Sequence, residues 1–515
     1  MYHRRSLLVV LLVTLLLCAT LAQERLTEQE RRGRSLYRRG ESATGRPVTT
    51  TLGDDSLTLP AATLPCANCH GADGKGKPEG GVIPTELTWA SLTKPYGHTH
   101  PAGRVHPAFI EQSLERAIVE GIDPAGNKLS PAMPKYQMAR ADMADLLAYL
   151  RRLADDRDPG ITDHSITVGT LLPTSGAMAE TGQAMRDVLM AYFTELNQQG
   201  GLYHRRIELK VATPEQAPQW LATESIFALV GPLTAGAEQE IAALVSREEM
   251  PLIGPSTFAP LITTPPERHT FYLFTGLHEQ VRALAQFAAQ SPRTKAALIV
   301  EEDARTKEMA AAMESQCQQL GWKTVQQLAY ARGQLQARAL VNRLKQEGIE
   351  AIFFLGASGD EKVLLDEATK LNYMPWFYLP GALASRALLT AVPNIRQKIY
   401  LAYPTIPTDQ TPAARAEFRA LLARHNITLR HTAAQLSAYV AAKLFAEVVK
   451  RAGRELTREK LITALEGLYE FDTGLTPRLT FGPNRRCGAC GAHIITFDRT
   501  KKAFIPAGNW ISLTP

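Results

Sequence analysis

The chain is poor in cysteine, with six in 515 residues, and it has one long apolar run and little net charge. Each shortage excludes something. Six cysteines cannot staple a fold of this length, so the domains must be held by hydrophobic cores. The apolar run, Leu7 to Leu17, follows Arg4 and Arg5 and ends in small residues near Ala22, the layout of a secretory signal peptide cleaved near Ala22. Cys18 is preceded by Leu17, where a lipoprotein signal wants Gly or Ala, which argues against lipidation. No later stretch is long and apolar enough to span a bilayer. Loss of Arg4 and Arg5 takes the formal net charge from +6 to +4, too mild to suggest a nucleic-acid partner. A hydrophobic fraction of 45% with 21% charged residues describes globular domains, and the length predicts two or three of them.

What is present changes character along the chain. Residues 23–157 read as short helices and long loops. "LTEQERRGRSLYRRG" is a helix with Thr27 as N-cap and Glu30 at the capping-box position. "HPAFIEQSLERAIVEGI" is a second helix ending at Gly121, and "ARADMADLLAYLRRLADD" a third, with Leu146, Leu147 and Leu150 on one face. No strand is predicted here. "DDRDPGITD" reads as a linker, assigned to 158–164. From 165 onward, strand-like runs such as "SITVGTLL", "IFALVGP", "KAALIVEE" and "AIFFLGA" alternate with helical patterns, which implies parallel sheets in two lobes. Lobe 1 is assigned to about 165–275 plus 405–455, and lobe 2 to about 285–400 plus part of the C-terminal segment.

The sharpest motif is Cys66-Ala67-Asn68-Cys69-His70, the C-x-x-C-H pattern of covalent haem attachment. Two thiols reach the two vinyl groups on one porphyrin edge, and the adjacent imidazole reaches the iron. A zinc knuckle would need a second ligand pair nearby, which the sequence lacks; a disulfide is the other alternative. "CANCHGADGKG" followed by "LERAIVEGIDPAGNKLSPAMPKYQMARADMADLLAYLRRL" resembles class I cytochrome c, over about residues 26–155. The resemblance implies an all-α domain, one haem c, His70 as an axial iron ligand and Met133 of "SPAMPKY" as the other. Met138, or one of His98, His100 and His106, is the rival sixth ligand. Gly33, Tyr37 and Tyr149 look like the close helix crossing of such cytochromes. The segment Arg38 to Pro65 is longer than the family's usual gap.

From Ser165, "ITVGTLLPTSGAMAETGQAMRDVLMAYFTELNQQGGLYHRRIELKVA" and "ALVGPLTAGAEQEIAALVSREEMPLIGPST" resemble type 1 periplasmic binding proteins of the branched-chain amino-acid and amide group. The resemblance covers roughly 163–515 and implies a cleft at the carboxyl ends of the strands. Ser175, Gly176, Thr234, Ser256 and Thr257 from lobe 1 offer hydroxyls and amides suited to a carboxylate or other oxygen-rich group. Glu301, Asp303 and Ser358 from lobe 2 face the same cleft by position, and either acid suits an ammonium group. Helix capping is the competing role for each of these residues. The loop "VATPEQAP" lacks the acidic pair usual in this family, so ligand identity is not carried over.

Cys487 and Cys490 of "RRCGACGAHIITF" have Gly491 where a second haem would need histidine, so a disulfide is expected in an oxidising compartment. Together these features predict an exported, periplasmic mono-haem electron-transfer protein with a small-molecule-binding module. Its partners would be a periplasmic dehydrogenase or oxidase and a small-molecule ligand. The alternative is a solute receptor for an ABC permease. No nucleophile–base constellation points to an enzyme.

Overall fold

The computed structural model describes residues 26–52, 57–76, 83–100, 103–234, 236–257, 259–260, 266–291, 295–322 and 325–513. The expected signal peptide lies outside them. The chain forms two compact units, 1–157 and 158–515.

In the first unit, helix Glu28–Arg39 starts at a complete capping box: Thr27 accepts from Glu30 N–H, and the Glu30 carboxylate returns to Thr27 N–H. It crosses helix Arg140–Arg152 closely enough that a β-carbon on Gly33 would lie 2.0 Å from the Asp145 carbonyl oxygen. Tyr37 and Tyr149 meet over this crossing with ring centroids 5.6 Å apart, both fully buried. Leu36, Leu114, Ile118, Leu146 and Leu150 fill the space between these helices and helix Glu111–Glu120. The predicted helices are therefore present, but the unit is not all-α. Strands β1 (Thr49–Leu52), β2 (Leu57–Pro60) and β5 (Lys135–Gln137) form an antiparallel sheet in the order β2-β1-β5. A second hairpin pairs β3 (His98–Thr99) with β4 (Val105–His106). The reason is local: one of the segments read as long loops carries β-branched Thr49, Thr50 and Thr51 in succession, residues that suit a pleated surface.

The second unit holds two sheets. In the first lobe, β6 (Ser165–Leu171), β7 (Arg206–Ala212), β8 (Ala228–Val230), β9 (Leu252–Ile253), β10 (Thr270–Phe274) and β16 (Cys487–Ala489) are ordered β7-β6-β8-β9-β10-β16, all parallel. In the second, β11 (Ala296–Glu301), β12 (Val325–Tyr330), β13 (Ala351–Leu355), β14 (Trp376–Pro380) and β15 (Ile399–Tyr403) run parallel in the order β12-β11-β13-β14-β15. Strands β17 (Gly491–Asp498), β18 (Ala503–Pro506) and β19 (Ile511–Ser512) extend this sheet with antiparallel pairings. The parallel strands are near-continuous apolar runs because helices cover both faces. Helix Thr432–Ala452 buries twelve residues, ten of them in the first sheet's core.

The segment read as a linker is built into the second unit. Asp158 is 4% exposed and accepts from Arg458 N–H at 2.6 Å. Arg458 itself is buried and donates to the carbonyls of Ile226, Phe227 and Glu248. Lobe 1 also continues past 455: helix Arg458–Glu466 and β16 belong to it. Chain crossings between the lobes follow β10, β15 and β16.

Candidate functional site

In the first unit, residues Cys66–His70 form a single helical turn. Helical spacing puts Cys66 and Cys69 three residues apart on one face, and His70 follows at the C-terminal end. His70 is 6% exposed, and burial pushes its imidazole below the ordinary histidine value, against the opposing effect of a hydrogen bond to Thr85. Its Nδ1 lies 2.9 Å from the Thr85 carbonyl oxygen. A proton on Nδ1 satisfies that carbonyl and leaves Nε2 as a bare lone pair, the form an iron ligand needs. The turn is tied to the unit's core by Tyr37, whose hydroxyl donates to the Gly71 carbonyl at 2.7 Å, and by Tyr136, which donates to the Leu64 carbonyl at 2.5 Å.

Met133 follows a turn closed by its own N–H onto Ser130 and precedes the buried Pro134. Both Met133 and Cys66 are half-buried and pack against the same apolar cluster, and so does Met138. The long segment before the cysteines is attached to the methionine loop: β1 pairs with β5, directly after Met133 and Pro134. His98, His100 and His106 engage one another. His100 Nε2 and His106 Nε2 are 3.0 Å apart, and His98 stacks on His106 with centroids 4.9 Å apart. The donor set therefore fits a covalently held haem: two thiols on one helical face, a neutral buried imidazole with a fixed tautomer, and a thioether on the same core. Sequence reasoning missed the Thr85 carbonyl, because a backbone acceptor leaves no trace in residue type.

In the second unit both sheets share the 2-1-3-4-5 order, in which ligands bind outside the carboxyl ends at the point where strand order reverses. For the first sheet that point lies between β6 and β8, and for the second between β11 and β13. Ser175 and Gly176 follow β6 in an exposed turn, with Gly176 at φ 71°. Thr234 and Ser256 are brought together by a bridge between Leu233 and Ser256, and Thr234 N–H donates to the Ser256 carbonyl at 3.2 Å. Thr257 completes the group through Glu238, a residue the sequence reading passed over. The Glu238 Oε1 accepts from Thr257 at 2.6 Å, from Thr234 at 3.2 Å and from Gly236 N–H at 3.2 Å. Its signal was the spacing to Thr234, one helical turn away at the head of helix Glu238–Arg247.

In the second lobe Glu301 ends β11 at 4% exposure, and its Oε1 receives no hydrogen bond among the described residues. Arg332, itself 82% exposed, approaches it at 3.2 Å. Asp303 accepts from Thr306 N–H and caps helix Ala304–Gln319, the competing role. Ser358 is exposed after β13. Tyr330 at the end of β12 donates to Asp360 at 2.8 Å. A groove of about 480 Å³ beside helix Ala179–Gln198, lined by Asp187, Met190, Asn426 and Arg430, shares no residue with this set.

Cys487 and Cys490 are free thiols, both buried, so the expected disulfide is not formed in this structure. Cys487 Sγ donates to the Ala489 carbonyl at 3.7 Å, and the interaction of the two thiols at the crossing from β16 to β17 pushes Cys487 up and holds Cys490 down from the usual thiol value. Thr275, at the neighbouring crossing after β10, donates to the Gly491 carbonyl at 2.8 Å.

Two parallel sheets of this order make a two-lobed fold of the kind found in binding proteins. Residues 165–496 match the periplasmic binding protein family, and the chain belongs to it; residues 61–154 match cytochrome c. Among curated proteins, a Leu/Ile/Val-binding protein of Rhizobium johnstonii is 22% identical over 325 residues, 62% of this chain and 87% of that protein. A leucine-, isoleucine-, valine-, threonine- and alanine-binding protein of Pseudomonas aeruginosa is 22% identical over 329 residues, 61% of this chain and 87% of its own. A branched-chain amino acid ABC transporter structure from Thermus thermophilus with bound valine superposes with TM-score 0.55 at 16% identity, covering 68% of this chain and 97% of that one. A fatty acid ABC transporter substrate-binding protein from Thermomonospora curvata gives TM-score 0.54 at 19% identity, covering 70% and 95%. These likenesses show the fold. The cytochrome c match implies haem c in the first unit. No described helix is long and apolar enough to cross a membrane.

Proposed function

We propose that this protein is an exported, mono-haem c-type electron carrier whose second unit binds a small molecule and couples that binding to periplasmic redox chemistry. Cys66 and Cys69 hold the haem, His70 is one axial ligand, and Met133, with its buried proline, is the other. Bound haem supplies one-electron transfer. The chain's own part is to fix the imidazole tautomer through Thr85 and to hold the cysteine turn with Tyr37 and Tyr136. A thioether ligand sets a higher potential than a second imidazole would, suiting an acceptor of electrons from a dehydrogenase or a donor to an oxidase. The observation that carries the reading is the buried His70, its Nδ1 on a carbonyl, in one chain with a two-lobed binding fold. The ligand cleft lies at the switch points, around Thr234, Ser256, Thr257 and Glu301, with Ser175, Gly176 and Ser358 at its edges. Cys487 and Cys490 close a disulfide on oxidation, which would tie the chain at an inter-lobe crossing.

The test is a potentiometric titration of the haem in the full mature chain, with and without a ligand found by thermal shift. A ligand at a hundredfold excess over its Kd stabilises by about 2.7 kcal/mol. A haem potential that moves on binding supports coupling. An unchanged potential with clear binding favours the second reading, a receptor for an ABC permease, to which the named relatives of the second unit point.

A further inference from the structure

We infer that Cys487 and Cys490 are a redox-active dithiol that exchanges with a small disulfide, and that closing their own disulfide stiffens the joint between the two lobes. The inference rests on the small-molecule reading above and adds a regulation to it.

The chain crosses between the lobes after β10, β15 and β16, and the last crossing is the shortest. Cys490 is the single residue between β16 in the first sheet and β17 in the second. Both flanks are pinned: Cys487 and Ala489 pair with Tyr272 and Phe274, while Gly491 and Ala492 pair with Ser512 and Ile511. At this crossing a change in the angle between the lobes is therefore taken up in the dihedrals around Cys490. Cys487 lies in a first-lobe strand, yet its side chain and that of Cys490 both belong to the second lobe's apolar cluster. A bond between the two sulfurs ties Cys490 back to β16 and closes a ring over Gly488 and Ala489, which removes freedom that a swing of the lobes needs. The effect reaches the neighbouring crossing, because the Thr275 hydroxyl donates to the Gly491 carbonyl at 2.8 Å. It also reaches the second sheet's edge, where Leu513 N–H donates to the Cys490 carbonyl at 3.0 Å.

The two sulfurs differ in a way that suits exchange. Their interaction holds the Cys490 thiol below its usual value and pushes Cys487 above it, so Cys490 is the thiolate that attacks. Its sulfur bonds to one sulfur of the incoming disulfide, and the other leaves as a thiol. Cys487 then gives up its proton, and its sulfur displaces the half still held on Cys490, which leaves as a second thiol. Two electrons pass from the cysteine pair to the incoming disulfide, and the two thiols released carry away the two protons. Cys487 and Cys490 are 1% and 3% exposed, so the co-reactant is a small disulfide that enters as the crossing opens.

The experiment takes the haem-loaded full chain, reduced with dithiothreitol and freed of it, and incubates it with oxidised glutathione without denaturant. Remaining thiols are then blocked and mapped by peptide mass spectrometry, and backbone hydrogen exchange is compared before and after. A Cys487–Cys490 disulfide is expected, with Cys317 left as a thiol. The amides of Leu513 and Tyr272, which bond to the Cys490 and Arg486 carbonyls, are expected to exchange at least about tenfold more slowly in the oxidised form, and amides within β6 and β13 to be unchanged. Cys487→Ala is expected to stop at a mixed disulfide of Cys490 with glutathione, and Cys490→Ala to take up none; the wild type in its two states carries the test if either variant misfolds. A wild type that keeps both thiols in excess oxidised glutathione overturns the inference, as does a disulfide that leaves exchange at Leu513 and Tyr272 unchanged. Either result leaves the small-molecule reading standing, because neither readout uses a ligand. No solute stabilising either redox form in the thermal-shift screen overturns both.

Discussion

Single side chains decide what each site can hold. His70 has one nitrogen committed to a carbonyl and the other free, so its role follows from a partner fifteen residues away. If Met133 is the sixth ligand, Met133→His is expected to keep covalently attached haem on a denaturing gel while lowering its reduction potential, because imidazole replaces thioether. Asp123 shows the same economy elsewhere in the first unit. It is fully buried, yet Arg104 at 2.8 Å, both N–H groups of Asn127 and Ala125 N–H hold its carboxyl below the usual range, outweighing the burial that pushes it up. Its ionised form is the one the fold prefers. The stability it contributes is therefore present above the ordinary carboxylate range and is lost as pH falls through its lowered native value. Asp123→Asn is expected to lower the first unit's melting temperature at neutral pH and to flatten its acid dependence, read by thermal melts from pH 7 to about pH 3. Glu238 is the counterpart in the second unit, where one carboxylate oxygen collects three donors.

Elements place those side chains by close approach and by strand order. The crossing of helices Glu28–Arg39 and Arg140–Arg152 tolerates no β-carbon at position 33. Gly33→Ala is expected to destabilise the first unit by about 1–3 kcal/mol, the cost of forcing extra volume into a packed core, and to leave the second unit's transition unchanged in a calorimetric scan. The sheet β2-β1-β5 ties the long segment before the cysteines to the methionine loop. Among the described residues, the sequence reading found every long helix of the first unit, because capping and apolar spacing are local. It missed these strands because each is four residues or fewer and its pairing partner can lie more than eighty residues distant, as Thr50 and Tyr136 do. The antiparallel edge of the second sheet was missed because the partner of β17 lies far back in the chain, as Tyr400 does for Thr496. Strand type is a property of the pair, not of the run.

At the scale of the whole molecule, the chain is held within its own unit on each side of the boundary at residue 157. Asp156 is fixed in the first by Tyr149 at 2.7 Å and by Arg34 and Arg38, and Asp158 in the second by Arg458. Only Arg157 stands between them. What read as a charged, Pro- and Gly-broken linker is built into the second unit from its first residue, because Arg458, three hundred residues later, captures Asp158. If ligand binding and haem potential are coupled through this junction, inserting a flexible Gly-Ser segment after Arg157 is expected to reduce the ligand-induced shift in potential, as effective concentration falls with tether length. Melting temperatures of both units should be unchanged, and a shift as large as in wild type would show that coupling does not use the junction.

The sequence alone determined the features whose physics is short-range: the C-x-x-C-H turn, the capped helices, the alternation of apolar strands with helices, and the switch-point loops that follow from that alternation. Tertiary structure alone decided the rest. Which carbonyl orients His70, which strand the Thr-rich segment joins, where the linker ends and which acid claims Thr234 and Thr257 all depend on residues that meet only when the chain folds. A hydrogen bond is set by distance in space, and spacing along the chain reports that distance only within a turn or a strand.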